Sequence, residues 1–153
     1  MLPAVTGRDE FAALVIRTDV SDDTVWRGVC ADLLMPWGDG DYEPHVHIVD
    51  DPVWSDATTD HVVAAVSTDE DLSVVFLADH VTIRDGDHPL LAVAVLTRDE
   101  CESDEEFEAY GGSVRAIPAA IHDIHANLST ANLDFADYAE AAGTDPAGIF
   151  GSF

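Results

Sequence analysis

Short continuous apolar runs alternate along this chain with stretches in which apolar residues recur every three or four positions. Leu14-Val15-Ile16 is the first such run, with the pattern of a strand covered on both faces, and it ends in Arg17-Thr18-Asp19. Ser21, Asp22 and Asp23 suit an N-cap and first turn. Behind them Val25, Trp26, Val29, Cys30 and Leu33 fall on one broad face and predict a helix, which Pro36 and Gly38 stop. A polar loop over 38–44 leads to a second strand at 45–49, ending in Asp50-Asp51-Pro52. Thr58 or Thr59 then caps a short helix carrying Val62, Val63 and Val66. A third strand over 72–78 ends in Asp79-His80, and a turn about Asp85-Gly86-Asp87 precedes a fourth at 90–96. A fifth strand spans 113–117. Pro118 opens a helix in which Ile117, Ile121, Ile124 and Leu128 recur at spacings of four, three and four. Asp134 caps a last helix through Ala142, Gly143 terminates it, and the apolar tail 148–153 is suited to docking back on the domain.

Strands alternating with helices predict an α/β fold: one domain over 1–153 with a mainly parallel five-stranded sheet and helices on both faces. If the stretch between the third and fourth strands is a tight connection, the fourth runs antiparallel and the sheet is mixed. Residues 1–12 are expected to be a loosely held lead-in. The seven carboxylates of 97–112, with Gly111-Gly112, predict an exposed, mobile acidic loop. The length of 153 residues suits a single core, and there is no internal repeat, linker or low-complexity block.

Charge changes the picture most. The chain has 31 acidic residues against six basic ones, a net charge of −25. All six cations are arginine, and lysine and glutamine are absent. Such a surface repels phosphates and anionic headgroups, so neither nucleic acid nor membrane is expected as a partner. A salt-adapted or GC-rich proteome would give this balance, and so would selection for a basic partner. No apolar run approaches the roughly 20 residues of a bilayer span. The opening residues carry no basic n-region or apolar h-region, which predicts a cytoplasmic location. Two cysteines, Cys30 and Cys101, are too few for a disulfide framework. Cys30 reads as a core thiol, and Cys101 sits among carboxylates that disfavour its thiolate.

In an α/β sheet, sites form where strands give way to helices. Three strands end there in acids: Asp19, then Asp50 and Asp51, then Asp79, with Asp22 and Asp23 just beyond the first. Asp19, Asp50 and Asp51 are the candidate ligands for a hard cation such as Mg²⁺. Local hydrogen bonding in strand-to-helix turns places aspartates at the same positions. Arg17 and Arg115 lie in strands that read as buried. They are expected either to pair with Asp19, Asp50 or Asp51 or to anchor an anion bidentately. His45 and His47 share a strand face, and His122 and His125 are neighbours on a helix with His122 turned towards solvent, but no ordered metal signature joins them. No GxxxxGK[ST], GxGxxG or Gly-x-Ser-x-Gly motif is present.

The segments 14–23 with Trp26, 49–52, 88–91, 115–118, 127–135 and 150–153 together resemble a family of small acidic, largely actinobacterial proteins of unknown function. The resemblance transfers no activity. It marks Arg17, Asp19, Asp22, Asp50, Asp51, Arg115, Asn127, Asn132 and Asp134, and it implies that other residues often stand at the positions of His45 and His47. Asn127 and Asn132 suit a helix end and the turn after it, or amides at the mouth of a site. The leading expectation is a non-catalytic binding or accessory protein that recognises a protein partner or small ligand at the sheet's carboxyl edge. An alternative is a small enzyme using the aspartates with a divalent metal or as general acid and base. A third is a self-associating subunit with Trp37, Tyr42 and Trp54 exposed. Oligomeric state is left open.

Overall fold

The computed structural model describes residues 12–35, 46–66, 72, 74–86, 88–95, 102–103, 105, 113–129, 135–146 and 148–150. The first apolar run forms β1 (Ala13–Arg17), all five residues buried. Asp22 caps α1 (Asp23–Leu33), whose buried face is Trp26, Val29 and Leu33. Strand β2 (Val46–Val49) is half-buried throughout. A 3-10 helix at Pro52–Trp54 follows it, and then α2 (Thr59–Val66). Thr58 supplies the cap of α2, its hydroxyl accepting from the His61 amide at 3.2 Å. Next come β3 (Val74–Ala78), α3 (His80–Arg84), β4 (Leu90–Ala94) and β5 (Ser113–Ala116). A 3-10 turn at Pro118–Ala120 leads into α4 (Ile121–Ser129), then α5 (Phe135–Gly143) and a short β6 (Ile149–Phe150).

The strands form one sheet in the order β2-β1-β3-β4-β5-β6. β1 pairs in parallel with β2 and β3, β4 is antiparallel to β3 and β5, and β6 is parallel to β5. The sheet therefore has six strands rather than the expected five, and it is mixed through β4 alone. The extra strand is the docked tail. At two residues it is too short to show a period, yet Ile149 and Phe150 lie opposite Arg115 and Ala116. Gly148, at φ +71°, makes the turn into it in a conformation that costs a side-chain-bearing residue more. The link from β3 to β4 is not only a turn, since it also contains α3, whose capping box joins Asp79 and Thr82.

Strand alternation divides the core between the two faces. Ala13, Val15, Val74, Phe76, Leu90, Ala92, Val114 and Ala116 pack with Trp26, Val29 and Leu33 of α1, Ile121 and Ile124 of α4 and Tyr138 of α5. Leu14, Ile16, Val75, Leu77 and Val93 pack with Trp54 and the valines of α2. Trp54 is only 1% exposed, so it belongs to the core and not to a self-association patch. Trp37 and Tyr42 lie outside the described residues. So do all of the lead-in except the buried Ala12, and all of the acidic stretch except Glu102, Ser103 and Glu105. No helix among the described residues is long and apolar enough to cross a membrane.

Candidate functional site

Because β1, β2, β3 and β5 run the same way, their carboxyl ends share one edge with the start of β4. Arg17 closes β1 on the α1 face, continuing the alternation of Ala13 and Val15. Its side chain is 5% exposed. Its Nε donates to the Asp19 carbonyl at 2.9 Å, one terminal nitrogen to Asp50 Oδ1 at 3.2 Å and the other to Asp23 Oδ1 at 2.7 Å. The guanidinium lies 5.2 Å from the centre of the Trp26 ring, a cation–π distance. The Trp26 indole N–H donates to Asp50 Oδ2 at 3.1 Å. Asp50 thus ties the end of β2 to β1 and α1 together. Burial works to lower the Arg17 pKa, but hydrogen bonds and charge from Asp23 and Asp50 outweigh it and raise it above the ordinary arginine value.

Beside this network opens a cleft of about 400 Å³ lined by Arg17, Asp23, Trp26, Arg27, Cys30 and Asp50. Cys30 is half-buried and packs against the core on the α1 face. Burial, and then the Asp50 charge, push its pKa up from 9.0, so it remains protonated and poorly nucleophilic.

The second arginine has a separate partner. Arg115 grips Asp79 through two bonds of 2.7 Å, one terminal nitrogen to each carboxylate oxygen. Asp79 also accepts from the Thr82 amide at 3.3 Å. The Thr82 hydroxyl accepts from the Asp79 amide at 3.2 Å and donates to the Pro89 carbonyl at 2.8 Å. His88, in the left-handed region at φ 50°, places Nδ1 2.9 Å from the Thr82 carbonyl oxygen. Burial acts to raise the Asp79 pKa, yet Arg115 and Thr82 together hold the carboxyl below its ordinary 3.8.

The remaining strand-end aspartates serve the backbone. Asp19 Oδ1 accepts from the Ser21 amide at 2.8 Å. Hydrogen bonding to Ser21 lowers its pKa against burial, and the charges of His80 and Arg84 add to the lowering. Asp22 caps α1 through the Val25 amide at 3.0 Å, and Asp51 caps the 3-10 helix through Val53 at 3.0 Å. Arg17 therefore takes Asp50 from the expected set, with only the carbonyl of Asp19, and Arg115 takes none of the three. Asp19, Asp50 and Asp51 do not converge. Among the described residues, no group of three or more His, Cys, Asp or Glu side chains is placed to hold a metal ion.

His122 and His125 are both buried, at 5% and 4% exposure, which corrects the expectation that His122 faces solvent. His122 Nε2 lies 3.3 Å from the Leu33 carbonyl oxygen and ties α4 to the end of α1. His47 is half-buried on β2. His45, Asn132, Asp134 and Cys101 lie outside the described residues, as does the side chain of Asn127 on α4.

The sequence reading did not assign Asp23 and Trp26 to the site, although their place in the first turn after β1 puts them beside Arg17. Arg27 was likewise passed over, and it carries no motif. Among curated proteins none matches the chain. Residues 12–153 match the model of DUF6924, a domain of unknown function, and the chain belongs to that family.

Proposed function

We propose that the chain is a non-catalytic binding or accessory protein of the cytoplasm that recognises a protein partner or small ligand at the carboxyl edge of its sheet. The observation that supports this is the cleft beside Arg17, which combines an aromatic residue, two arginines and two carboxylates in about 400 Å³ of open space. The network beneath it is already satisfied, so it offers a fixed surface rather than a reactive group. General acid or base work by Asp19, Asp50 or Asp51 would call for a raised carboxyl pKa. Asp19 is held low by its hydrogen bonds, and both oxygens of Asp50 are engaged by Arg17 and Trp26. The net charge of −25 favours a basic partner over nucleic acid or an anionic membrane. A half-buried free thiol at Cys30 suits a reducing compartment.

The test is capture of partners on immobilised wild-type protein and on an Asp50→Asn variant, at low and high salt. A partner enriched by the wild type and depleted on the variant supports the protein-partner form of the reading, and no enrichment at either salt rejects that form. Calorimetric titration with Mg²⁺, Mn²⁺ and Zn²⁺ addresses the catalytic alternative. Saturable metal binding lost in Asp50→Asn would move the protein to the enzyme class.

A further inference from the structure

On one side the sheet ends at β2, which pairs only with β1. Which of its backbone groups face outwards follows from the neighbouring ladder. The Thr18 amide donates to the Ala78 carbonyl. Leu14, Ile16 and Thr18 therefore turn their backbone groups towards β3, and Ala13, Val15 and Arg17 turn theirs towards β2. Val15 lies opposite Ile48, and in a parallel ladder it bonds to the residues on either side, His47 and Val49. Val46 and Ile48 are left with N–H and C=O groups pointing away from the sheet. No hydrogen bond meets them among the described residues. Such groups seek a partner, and proteins blunt edges of this kind with Pro, Lys or a bulge. β2 reads Val-His-Ile-Val, without Pro or Lys, and pairs in unbroken register. Only its short length blunts it.

Charge decides what kind of strand this edge fits. Between Arg27 and Arg84 the sequence has twelve acidic residues and no Lys or Arg, and β2 lies within that stretch. Arg17 and Arg115 take up Asp50 and Asp79. Asp32, Asp51, Asp56 and Asp60 have no salt bridge among the described residues. A second copy would bring the same acids to the edge, whereas a basic segment meets opposite charge. The side chains flanking the edge are apolar on both faces. Val46 and Ile48 pack against the core on the α1 face, and Val49 packs against the core on the α2 face. We infer that β2 accepts a further strand, an extended segment of a partner protein that carries Lys or Arg beside apolar residues. This rests on the binding reading above and gives the basic partner its form, backbone pairing along β2.

The probe is the peptide acetyl-Lys-Val-Lys-Val-Lys-Val-amide. One control is the same peptide N-methylated at every residue, which keeps charge and side chains but has no backbone donors. The other replaces each Lys by Glu. Hydrogen exchange of assigned backbone amides is followed at about 0.15 M NaCl, where distant surface charge is screened. In the protein alone, Val46 and Ile48 should exchange faster than His47 and Val49, whose amides bond to β1. The Lys peptide should slow Val46 and Ile48 saturably, by about tenfold or more, and neither control should. No slowing by the Lys peptide, or equal slowing by either control, would overturn the inference. So would slow exchange at both residues in the protein alone. If that slowing grew with protein concentration, a second copy would occupy the edge. If it did not, the chain itself would cover it. A captured partner that leaves both amides in fast exchange would reject this contact and leave the wider binding reading standing. Capture of no partner at either salt would reject both this contact and the protein-partner form of that reading.

Discussion

Removing Arg115 strands a carboxylate, whereas removing Arg17 mostly returns carboxylates to water. Asp79 is only 20% exposed in its pair with Arg115, and loss of the partner of a largely buried charge is costly. Arg115→Met should destabilise the protein by about 2–4 kcal/mol, measured by urea unfolding at neutral pH. Arg17→Met leaves Asp23 and Asp50 at 69% and 47% exposure and puts an apolar stem where a guanidinium was buried. Its cost should be about 1 kcal/mol or less. The reverse order would show that the Trp26 stack and the Asp19 carbonyl bond, not the partner left behind, set the energetics. Asp79 also fixes a pH dependence. A carboxyl depressed in the folded state contributes stability that is present above its unfolded pKa, near 3.8, and is lost as pH falls through the folded value. The cost of Arg115→Met should therefore shrink as unfolding is repeated from about pH 4 downward through the depressed folded value, below which Asp79 is neutral with or without its partner. A cost that stays constant over that range would mean that the pair does not act through the Asp79 charge.

Phe150 carries most of what β6 contributes. It is 1% exposed and meets Tyr138 edge to face with ring centres 5.0 Å apart. Its carbonyl accepts from the Ile117 amide at 3.1 Å. Phe150→Ala should cost about 3–5 kcal/mol, a loss visible as a lower melting temperature, and a surface-like change below about 1 kcal/mol would show that the tail is not seated there. The tail was expected to dock because it is apolar, but two residues show no alternation from which a strand could be read. The longer elements were legible for the opposite reason. Val25, Trp26, Val29 and Leu33 repeat over a helix of 11 residues, and Leu14-Val15-Ile16 is apolar on both faces because both faces are covered. The site was only half legible. The strand ends named Arg17, Asp50, Asp79 and Arg115, yet their partners depend on sheet register. Arg17 faces α1 with Val15, while Arg115 sits between Val114 and Ala116 and so faces the other way. The sheet separates the two arginines, and one predicted acid cluster becomes two independent pairs.

At the scale of the whole molecule, 31 acidic residues against six arginines set up a repulsion that the folded state must bear. Six arginines can pair with only a minority of the acids, and among the described residues Arg17 and Arg115 engage the side chains of Asp23, Asp50 and Asp79. Salt screens exposed charges beyond about 8 Å at physiological strength, which relieves repulsion spread over the surface. It also weakens the ion pairs, but partly exposed pairs contribute only about 0–1 kcal/mol each. The better-buried Arg115–Asp79 pair is screened less. The repulsive sum therefore outweighs the loss, and the melting temperature should rise as NaCl goes from a few millimolar, on the order of 0.01 M where the Debye length is about 30 Å, to molar concentration. Screening should account for the early rise and then saturate. A further rise in sulfate beyond that in chloride at equal ionic strength would come from strengthened apolar burial. Arg115→Met should follow the same curve at lower temperature, because it removes a pair without relieving the surface. A melting temperature that is flat or falls with added NaCl would mean that the acids are compensated where they stand.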